Sequence, residues 1–459
     1  MSVPRARPED WWQHGLWCGV GLALAVPFLV RNIRSNFMDL LTDHRLMFLA
    51  SFVAYFLFGA AMLAFGADLQ MEASLRYYRI TANDALRVDA VNALGFGIAL
   101  MTASIASGRF LGTRAAHAAA GLARVPDHVV IPAFLAIGFG ASIYVLSFDL
   151  GFRQGLVPGV VRSVSNLSIV AVFLASASTG NHEGILRTVG VAVAVLLSVL
   201  GALQFNKTGV LLPVASLVAG LTVRFGPRRV MPLGLGFLVV GFLTLGDLAA
   251  YGRRTVGYQG VASLTERWQT LLAGWEDTKD LGDSERYSPW ARLCYTPPQA
   301  AGLDFWDTGQ GGDGFQLMPW VFVPRALAED KPEITKTGRE FHQRITGADT
   351  SSTGIGIFVS GYYAGGWWGL WAASALCGWI LAQTSAIARA VMAARALLLV
   401  PLALLGVYIA FRIDGDFVSD YVGAFVFVLY PVIALSMVFS SRFRLSAFWK
   451  HDQAGLSPR

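Results

Sequence analysis

The chain has 459 residues, of which 54% are hydrophobic and only 14% are charged. A soluble domain of this length would carry about a quarter charged residues, so most of the chain is expected to lie in a lipid bilayer. The formal net charge of +6 comes from short basic clusters between apolar runs, as membrane topology requires. We therefore expect no nucleic acid as a partner.

Long apolar runs recur along the chain. Runs of about 17–25 residues can cross a bilayer as helices, because every backbone polar group in lipid must be hydrogen-bonded within the segment. The sequence predicts an all-α polytopic membrane protein with about 11 transmembrane helices, in a range of about 10–12. They cover residues 12–30, 46–66, 91–107, 128–148, 164–178, 187–205, 208–223, 229–250, 354–382, 393–411 and 418–440.

Two of these predicted spans, 91–107 and 164–178, are short and partly polar. The first contains Asn92, and the second contains Asn166 and Ser168. Polar groups inside lipid must find partners within the protein. We therefore expect these helices to be tilted, broken or buried within the bundle.

The cysteines are few and far apart. They are Cys18, Cys294 and Cys377, with no Cys-x-x-Cys pair, so neither a structural zinc site nor a disulfide framework is predicted. The first apolar run follows Arg5 and Arg7 and is not followed by a cleavage site of small residues. It is interpreted as a retained helix and not as a removed signal peptide.

Arginine and lysine are more frequent in the connections on one side of the predicted bundle, the long polar segment aside. Because basic residues accumulate on the cytoplasmic side, this bias predicts a cytoplasmic C-terminus and an extracytoplasmic polar segment. The expected parts are an N-terminal bundle of about eight helices, one large extracytoplasmic loop, C-terminal transmembrane helices and a cytoplasmic tail. They are residues 1–251, 252–353, 354–441 and 442–459.

The large loop is rich in aromatic residues, which predicts a small folded cap and not a linker. Residues 261–275 have the helical spacing of apolar side chains, with Ser263 or Thr265 as the N-cap. A glycine-rich turn is predicted at 309–314.

Several basic residues are predicted to lie outside, where the positive-inside rule should make them rare. Guanidinium groups match phosphate oxygens in paired hydrogen bonds, which favours an anionic ligand such as a pyrophosphate-linked lipid. The alternative is pairing with Asp and Glu or anchoring to lipid headgroups. The set comprises Arg153, Arg162, Lys207, Arg253, Arg254, Arg292, Arg325, Lys331, Arg339, Arg344 and Arg412.

Three short motifs between residues 205 and 415 resemble those of a known family. They are Lys207-Thr208-Gly209, the run Pro324-Arg325 with Asp330-Lys331-Pro332, Gly338 and Phe341, and Ser351-Ser352-Thr353-Gly354 leading into Gly361–Leu370. Together they resemble the bacterial oligosaccharide repeat-unit polymerases, the Wzy-type polymerases of O-antigen and exopolysaccharide, which are related to O-antigen ligases.

This resemblance implies a GT-C-like membrane glycosyltransferase that works on the outer face of the bacterial inner membrane. It implies inverting transfer without a metal, a nucleotide sugar or another cofactor. The donor would be a glycan on undecaprenyl pyrophosphate, and a second lipid-linked repeat unit would be the acceptor. Membrane lipid, a chain-length regulator and a flippase are the further partners it implies.

The chemistry of such a transfer selects candidate catalytic residues. Negative charge develops on the leaving pyrophosphate, and a cation such as Arg325 stabilises it. A general base assists the acceptor hydroxyl, and the sequence offers His342, Asp247, Asp349 and Glu340 for this role. We favour His342, whose ordinary pKa suits proton transfer, and Asp247, because an intramembrane carboxylate is usually functional or paired.

Alternative interpretations remain at this stage. His342 could be a surface or capping residue, and Arg253 or Arg254 could simply pair with Asp247. An O-antigen ligase would share the architecture and the donor. A lipid-linked oligosaccharide flippase would be expected to show related halves, which the sequence does not show. The tryptophans could stack on sugars or form an interfacial belt and the core of the cap. They are Trp268, Trp275, Trp290, Trp306, Trp320, Trp367 and Trp368.

Overall fold

The structure of the protein is a computed structural model. It describes residues 13, 16–17, 19–21, 23–24, 41–58, 77–78, 80–106, 108–123, 125–150, 152–153, 157, 159–179, 182–256, 263–277, 293–324, 327–328, 330–334, 336–347 and 352–454.

Sixteen α-helices form the described part of the chain. They are α1 His44–Phe52, α2 Ala82–Ile105, α3 Arg109–Leu122, α4 Asp127–Asp149, α5 Gly159–Ser165, α6 Leu167–Ala177, α7 Glu183–Leu203, α8 Lys207–Phe225, α9 Pro227–Val256, α10 Leu264–Asp277, α11 Thr296–Asp307, α12 Gly314–Val321, α13 Lys336–Thr346, α14 Ile357–Ala394, α15 Val400–Phe411 and α16 Gly423–Ala454. The π-helical segment Val53–Phe58 continues α1. The π-helical segment Phe417–Val422 precedes α16.

Eight helices among the described residues are long and apolar enough to cross a membrane. These segments are Asn83–Ile105, Asp127–Asp149, Glu183–Leu203, Lys207–Phe225, Pro227–Ala249, Ile357–Ala394, Leu397–Asp414 and Phe417–Phe439. Each corresponds to one predicted span, so the prediction of a multi-pass, all-α membrane protein is confirmed. The predicted spans 46–66 and 164–178 correspond to shorter apolar helices, His44–Leu57 and Val161–Ala177. The predicted span 12–30 lies largely outside the described residues, and the total of about eleven stays a prediction.

The chain divides into two compact units. One contains residues 1–124 and 290–459, and the other contains residues 125–289. The polar segment that was predicted as one loop, 252–353, is thereby shared between the two units. The division of the chain at residues 251, 353 and 441 stays a prediction.

Helix α14 is the centre of the first unit. Two thirds of its most apolar stretch is buried, and it packs against α1, α2, α3, α11 and α15. Small residues allow this close packing, as is usual between membrane helices. A Cβ atom on Gly378 would lie 2.2 Å from the Ala99 carbonyl oxygen of α2. The expectation that span 91–107 is buried also holds, since Asn92 is buried and bonded to Gln299 of α11.

Helix α3 was not predicted, because its residues lie in the connection between the predicted spans 91–107 and 128–148. The helix buries Leu111, Ala115, Ala118 and Ala119 against α14 and α16. The Leu111 N–H donates to Gln383 Oε1 over 3.0 Å. The apolar face is short and rich in alanine. The hydropathy of this segment is therefore too low to predict a membrane span.

The second unit packs α4 on α5 and α6, α6 on α7 and α8, and α8 on α9. The predicted span 164–178 is broken here, since α5 ends at Ser165 and α6 begins at Leu167. Close contact again depends on glycine, because a Cβ atom on Gly138 would lie 2.2 Å from the Ser168 nitrogen.

Helix α10 packs on α9 and α7 within the second unit. Its N-terminus carries a reciprocal cap, in which Glu266 accepts from the Ser263 N–H and Ser263 Oγ accepts from the Glu266 N–H. The predicted helix and its Ser263 cap are therefore confirmed. Arg267, which is only 3% exposed, donates to the carbonyls of Leu203 and Asp149 at 3.4 and 3.5 Å, and burial lowers its pKa.

Candidate functional site

The helix α14 is broken near its N-terminal end by two glycines. Gly365 and Gly366 have non-helical backbone angles, and Gly366 has a φ of +58°, which favours glycine. A Cβ atom on Gly366 would lie 2.7 Å from Trp306 Nε1. The break therefore accommodates the end of α11, and only Ala364 separates it from two tyrosines, Tyr362 and Tyr363.

Tyr362 belongs to a polar trio with Arg87 of α2 and Asp307 of α11. Its hydroxyl accepts from Arg87 Nη2 at 2.8 Å and donates to Asp307 Oδ1 at 3.0 Å. Arg87 and Asp307 also form an ion pair. The hydrogen bond from Arg87 holds the pKa of Asp307 below its ordinary value, so the carboxylate is ionised. Three helices of the first unit meet at this point.

Tyr363 lines a polar cleft of about 420 Å³. This cleft is bounded by the turn between α11 and α12, by one face of α13 and by α14. Its volume lies in the range of small-molecule sites, about 300–1,000 Å³. The lining residues are Gly311, Gly312, Asp313, Lys336, Thr337, Glu340, Gln343, Arg344 and Tyr363.

Two cations and two carboxylates line this cleft. Lys336 Nζ lies 3.0 Å from Glu340 Oε1 and 3.6 Å from Asp313 Oδ2, and the hydrogen bond with Glu340 raises the pKa of Lys336. Arg344 Nη1 donates to the Gln310 carbonyl at 2.7 Å and to the Tyr363 hydroxyl at 2.9 Å. The cleft therefore offers both donors and acceptors of charged hydrogen bonds.

Helix α13 presents the cleft because it is amphipathic. Residues 336, 340, 343 and 344 share one face at helical spacing. On an adjacent face of the helix Phe341 is buried, with its ring centroid 5.7 Å from that of Phe305 and 5.5 Å from that of Tyr363. The aromatic contacts fix the helix against α11 and α14, so the charged face is held in place by a small apolar core.

A second polar group occupies the turn between α15 and α16. Arg412 Nη2 donates to Asp420 Oδ1 at 2.9 Å. The Tyr295 hydroxyl donates to Asp414 Oδ2 at 3.1 Å, and Ser360 Oγ donates to Asp416 Oδ2 at 2.7 Å. These hydrogen bonds connect the turn to Tyr295, which precedes α11, and to the first turn of α14. The charged side chains of the turn therefore mostly bond to other groups of the protein.

The structure places the predicted site residues in different locations. His342 lies on α13, where its Nδ1 is 2.9 Å from Thr353 Oγ1, and it is not part of the cleft lining. Arg339 pairs with Glu333, and Lys331 donates to the Val323 carbonyl at 2.7 Å. Arg412 pairs with Asp420 as described above.

Other predicted residues belong to the second unit or lie outside the described residues. Lys207 begins α8, with its Nζ 5.4 Å from the Phe242 ring centroid, and Asp247 lies on α9. Arg292, Arg325 and Asp349 are outside the described residues, as are the side chains of Arg253 and Arg254 on α9. The roles of all these residues stay predictions.

Several residues of the cleft and the trio were not singled out as site residues from the sequence. Arg87, Asp307, Lys336 and Tyr363 come from segments far apart in the chain. The spacing of Lys336, Glu340 and Arg344 was visible as one helical face, and Arg87 is a charge close to the start of an apolar span, which is usually functional or paired. The bonding partners of these residues depend on the packing of α11 and α13, which the sequence pattern does not contain.

Comparison of the chain with protein-family models, with curated proteins and with solved structures finds no match.

Proposed function

We propose that this protein is a membrane glycosyltransferase. In this proposal it polymerises undecaprenyl-pyrophosphate-linked oligosaccharide repeat units into O-antigen or exopolysaccharide on the outer face of the bacterial inner membrane. The observation that carries the proposal is the cleft beside Tyr363, which is lined by two cations and two carboxylates in a membrane protein. The motif resemblance described above supports the same reading.

The cations suit the leaving group of this reaction. The acceptor hydroxyl oxygen forms a bond to the anomeric carbon on the face opposite the pyrophosphate, which inverts that centre. The bond from carbon to pyrophosphate breaks, and its electron pair leaves with the pyrophosphate oxygen. Lys336 and Arg344 line the cleft and would stabilise this developing negative charge.

A carboxylate of the cleft suits the proton transfer. Glu340 lines the cleft and would take the proton of the acceptor hydroxyl as general base. Its carboxylate Oε1 lies 3.0 Å from Lys336 Nζ, and this contact holds it at the cleft wall. His342 lies two residues further on the same helix and is the second candidate, although its Nδ1 is directed to Thr353.

The remaining lining groups suit sugar hydroxyls. Asp313 accepts hydrogen bonds, Thr337 and Gln343 both donate and accept, and Gly311 and Gly312 allow backbone groups to approach a ligand. Hydroxyl-rich ligands need such alternating donors and acceptors, because each unpaired buried polar group costs binding free energy.

The test is a gel of surface glycan from cells that lack the gene. These cells would be complemented at matched protein levels with wild type, Glu340→Gln, Lys336→Ala or His342→Ala. The control is Glu333→Gln, which removes a carboxylate that pairs with Arg339 and does not line the cleft. We expect the deletion to reduce the ladder to single repeats, and we expect Glu340→Gln and Lys336→Ala to fail to restore it.

Other outcomes point to other activities. Full ladders from Glu340→Gln and Lys336→Ala would remove the cleft from the mechanism. Long lipid-linked polymer that never reaches its final acceptor in the deletion strain would indicate a ligase. Single repeats that accumulate on the cytoplasmic face would indicate a flippase. The roles proposed for Lys336, Glu340 and Arg344 would then all be wrong.

A further inference from the structure

An exposed tryptophan extends the polar trio on α14. The ring of Trp367 lies edge-to-face on Tyr362, with centroids 5.3 Å apart, and Trp367 is 48% exposed. The side chains of Arg87 and Asp307 are themselves about one third exposed, at 36% and 38%. Tyr362 therefore contacts an exposed apolar ring as well as a partly exposed guanidinium and a partly exposed carboxylate.

The next tryptophans on the helix have different surroundings. Trp368 is 77% exposed, and its ring packs edge-to-face on Trp371 with centroids 5.1 Å apart. An exposed aromatic pair on a spanning helix is typical of the interfacial belt of membrane proteins. The two adjacent tryptophans thus have different neighbours. Trp367 packs on the polar trio through Tyr362, and Trp368 packs on another tryptophan.

We propose that Arg87, Asp307, Tyr362 and Trp367 form a carbohydrate-binding subsite for one pyranose unit of a glycan. This inference rests on the proposed function. A pyranose presents C–H groups on its faces, which suit the face of an indole ring, and hydroxyls on its rim. A carboxylate accepts from two neighbouring hydroxyls, while a guanidinium donates to their oxygens.

The subsite is distinct from the catalytic cleft. Consecutive helical side chains diverge by about 100°, and Tyr362 and Tyr363 accordingly reach different groups. Tyr362 reaches Arg87 and Asp307, and Tyr363 reaches Arg344 in the cleft. A transfer between two glycans has to hold sugars on both sides of the reacting bond, and α14 offers a polar surface for each.

The test is direct binding of a defined glycan. The probe is the free oligosaccharide that mild acid releases from the lipid-linked repeat units of the same cells. It would be titrated calorimetrically into the full chain in phospholipid nanodiscs. We expect Trp367→Ala and Asp307→Asn each to weaken binding by about tenfold, as for the loss of one aromatic or charged contact. The matched control, Trp368→Ala, is expected to bind within about twofold of wild type.

The conservative variant Trp367→Phe keeps a ring at this position, and we expect it to retain most of the affinity. This variant also keeps the test decisive if Trp367→Ala does not fold. Equal affinity of wild type, Trp367→Ala and Asp307→Asn would overturn the subsite. Binding that is lost in Glu340→Gln but unchanged in Trp367→Ala would also overturn it, because it places the glycan in the cleft alone.

The two proposals fail separately. If the gene deletion leaves the glycan ladder intact while Trp367 controls oligosaccharide binding, the polymerase proposal falls and the subsite stands. If the ladder depends on the gene and on Glu340 while Trp367→Ala binds and polymerises like wild type, the subsite falls and the polymerase stands.

Discussion

The ion pair between Arg87 and Asp307 joins the second turn of α2 to the last residue of α11. It joins α11 by charge to a spanning helix of the same unit. Because both side chains are about one third exposed, water and salt weaken the pair, and its contribution is about 1 kcal/mol or less.

Because of this ion pair, we expect the free energy of unfolding to depend on pH in the acid range. The pKa of Asp307 is lowered from its ordinary value of 3.8 in the folded protein. A lowered carboxyl pKa contributes stability above the unfolded value and loses it as the pH falls through the folded value. We expect the contribution to be fully present above about pH 4 and to decrease as the pH falls below that value.

Thermal unfolding of wild type and Asp307→Asn in detergent would measure this contribution. The difference in Tm should be largest at about pH 6 and smaller at about pH 3. A difference that is the same at both values would show that the loss of the carboxylate acts through packing and not through its charge.

Substitution at the glycine break should destabilise the first unit. Gly366→Ala adds a Cβ atom 2.7 Å from Trp306 Nε1 at a positive φ, and we expect a loss of about 1–3 kcal/mol in the free energy of unfolding. Gly236→Ala is the control, because nothing lies within 4 Å of a Cβ atom there. Denaturant unfolding of the two variants would compare them, and equal stabilities would contradict the prediction.

Arg267 should be the anchor of α10. Its buried guanidinium donates to the carbonyls of Leu203 and Asp149, so Arg267→Ala leaves buried acceptors with fewer partners and should cost about 1–3 kcal/mol. Limited proteolysis should then cut within α10 faster than in wild type. Arg162→Ala removes an exposed pair with Asp149 and should change the cleavage rate little, so a similar effect of both substitutions would argue against the anchor.

The buried amides of Asn92 and Gln299 should depend on each other. Asn92 Nδ2 donates to Gln299 Oε1 at 3.0 Å, and the two residues are 3% and 1% exposed. Gln299→Met alone leaves the Asn92 amide with fewer partners and should cost about 1–3 kcal/mol. The double variant with Asn92→Leu should recover part of that loss, and a double-mutant cycle of unfolding free energies would measure the coupling. Simple addition of the two single losses would exclude coupling.

Much of the fold could be predicted because lipid restricts it so strongly. Hydropathy located the helices from Asn83 to Phe439 to within a few residues in most cases, since a long apolar run in a bilayer has few alternatives to a helix. The amphipathic α3 was missed because its buried face is alanine and leucine over only a few turns. Its stability comes from packing on α14 and α16, which a local pattern does not contain.

The site was less predictable than the spans. Gly338 and Phe341 were read as family motif residues, and in the structure they act in packing. Phe341 fills the core under α13, and a Cβ atom on Gly338 would lie 2.3 Å from Ser352 Oγ. Charge counting selected basic residues on the side predicted to be extracytoplasmic. It included Arg344 but not Lys336, which lines the same cleft because both lie on one face of α13. Such a combination depends on tertiary contacts between segments that are distant in sequence.

The break in α14 also makes one backbone group available outside the helix. In an uninterrupted helix the Tyr363 carbonyl would accept from the N–H four residues later, and here it accepts from the Gly312 N–H at 2.9 Å. The turn between α11 and α12, which forms one wall of the cleft, is thereby bonded to α14 through main-chain atoms. Side chains in the neighbouring turn can therefore change without moving that wall.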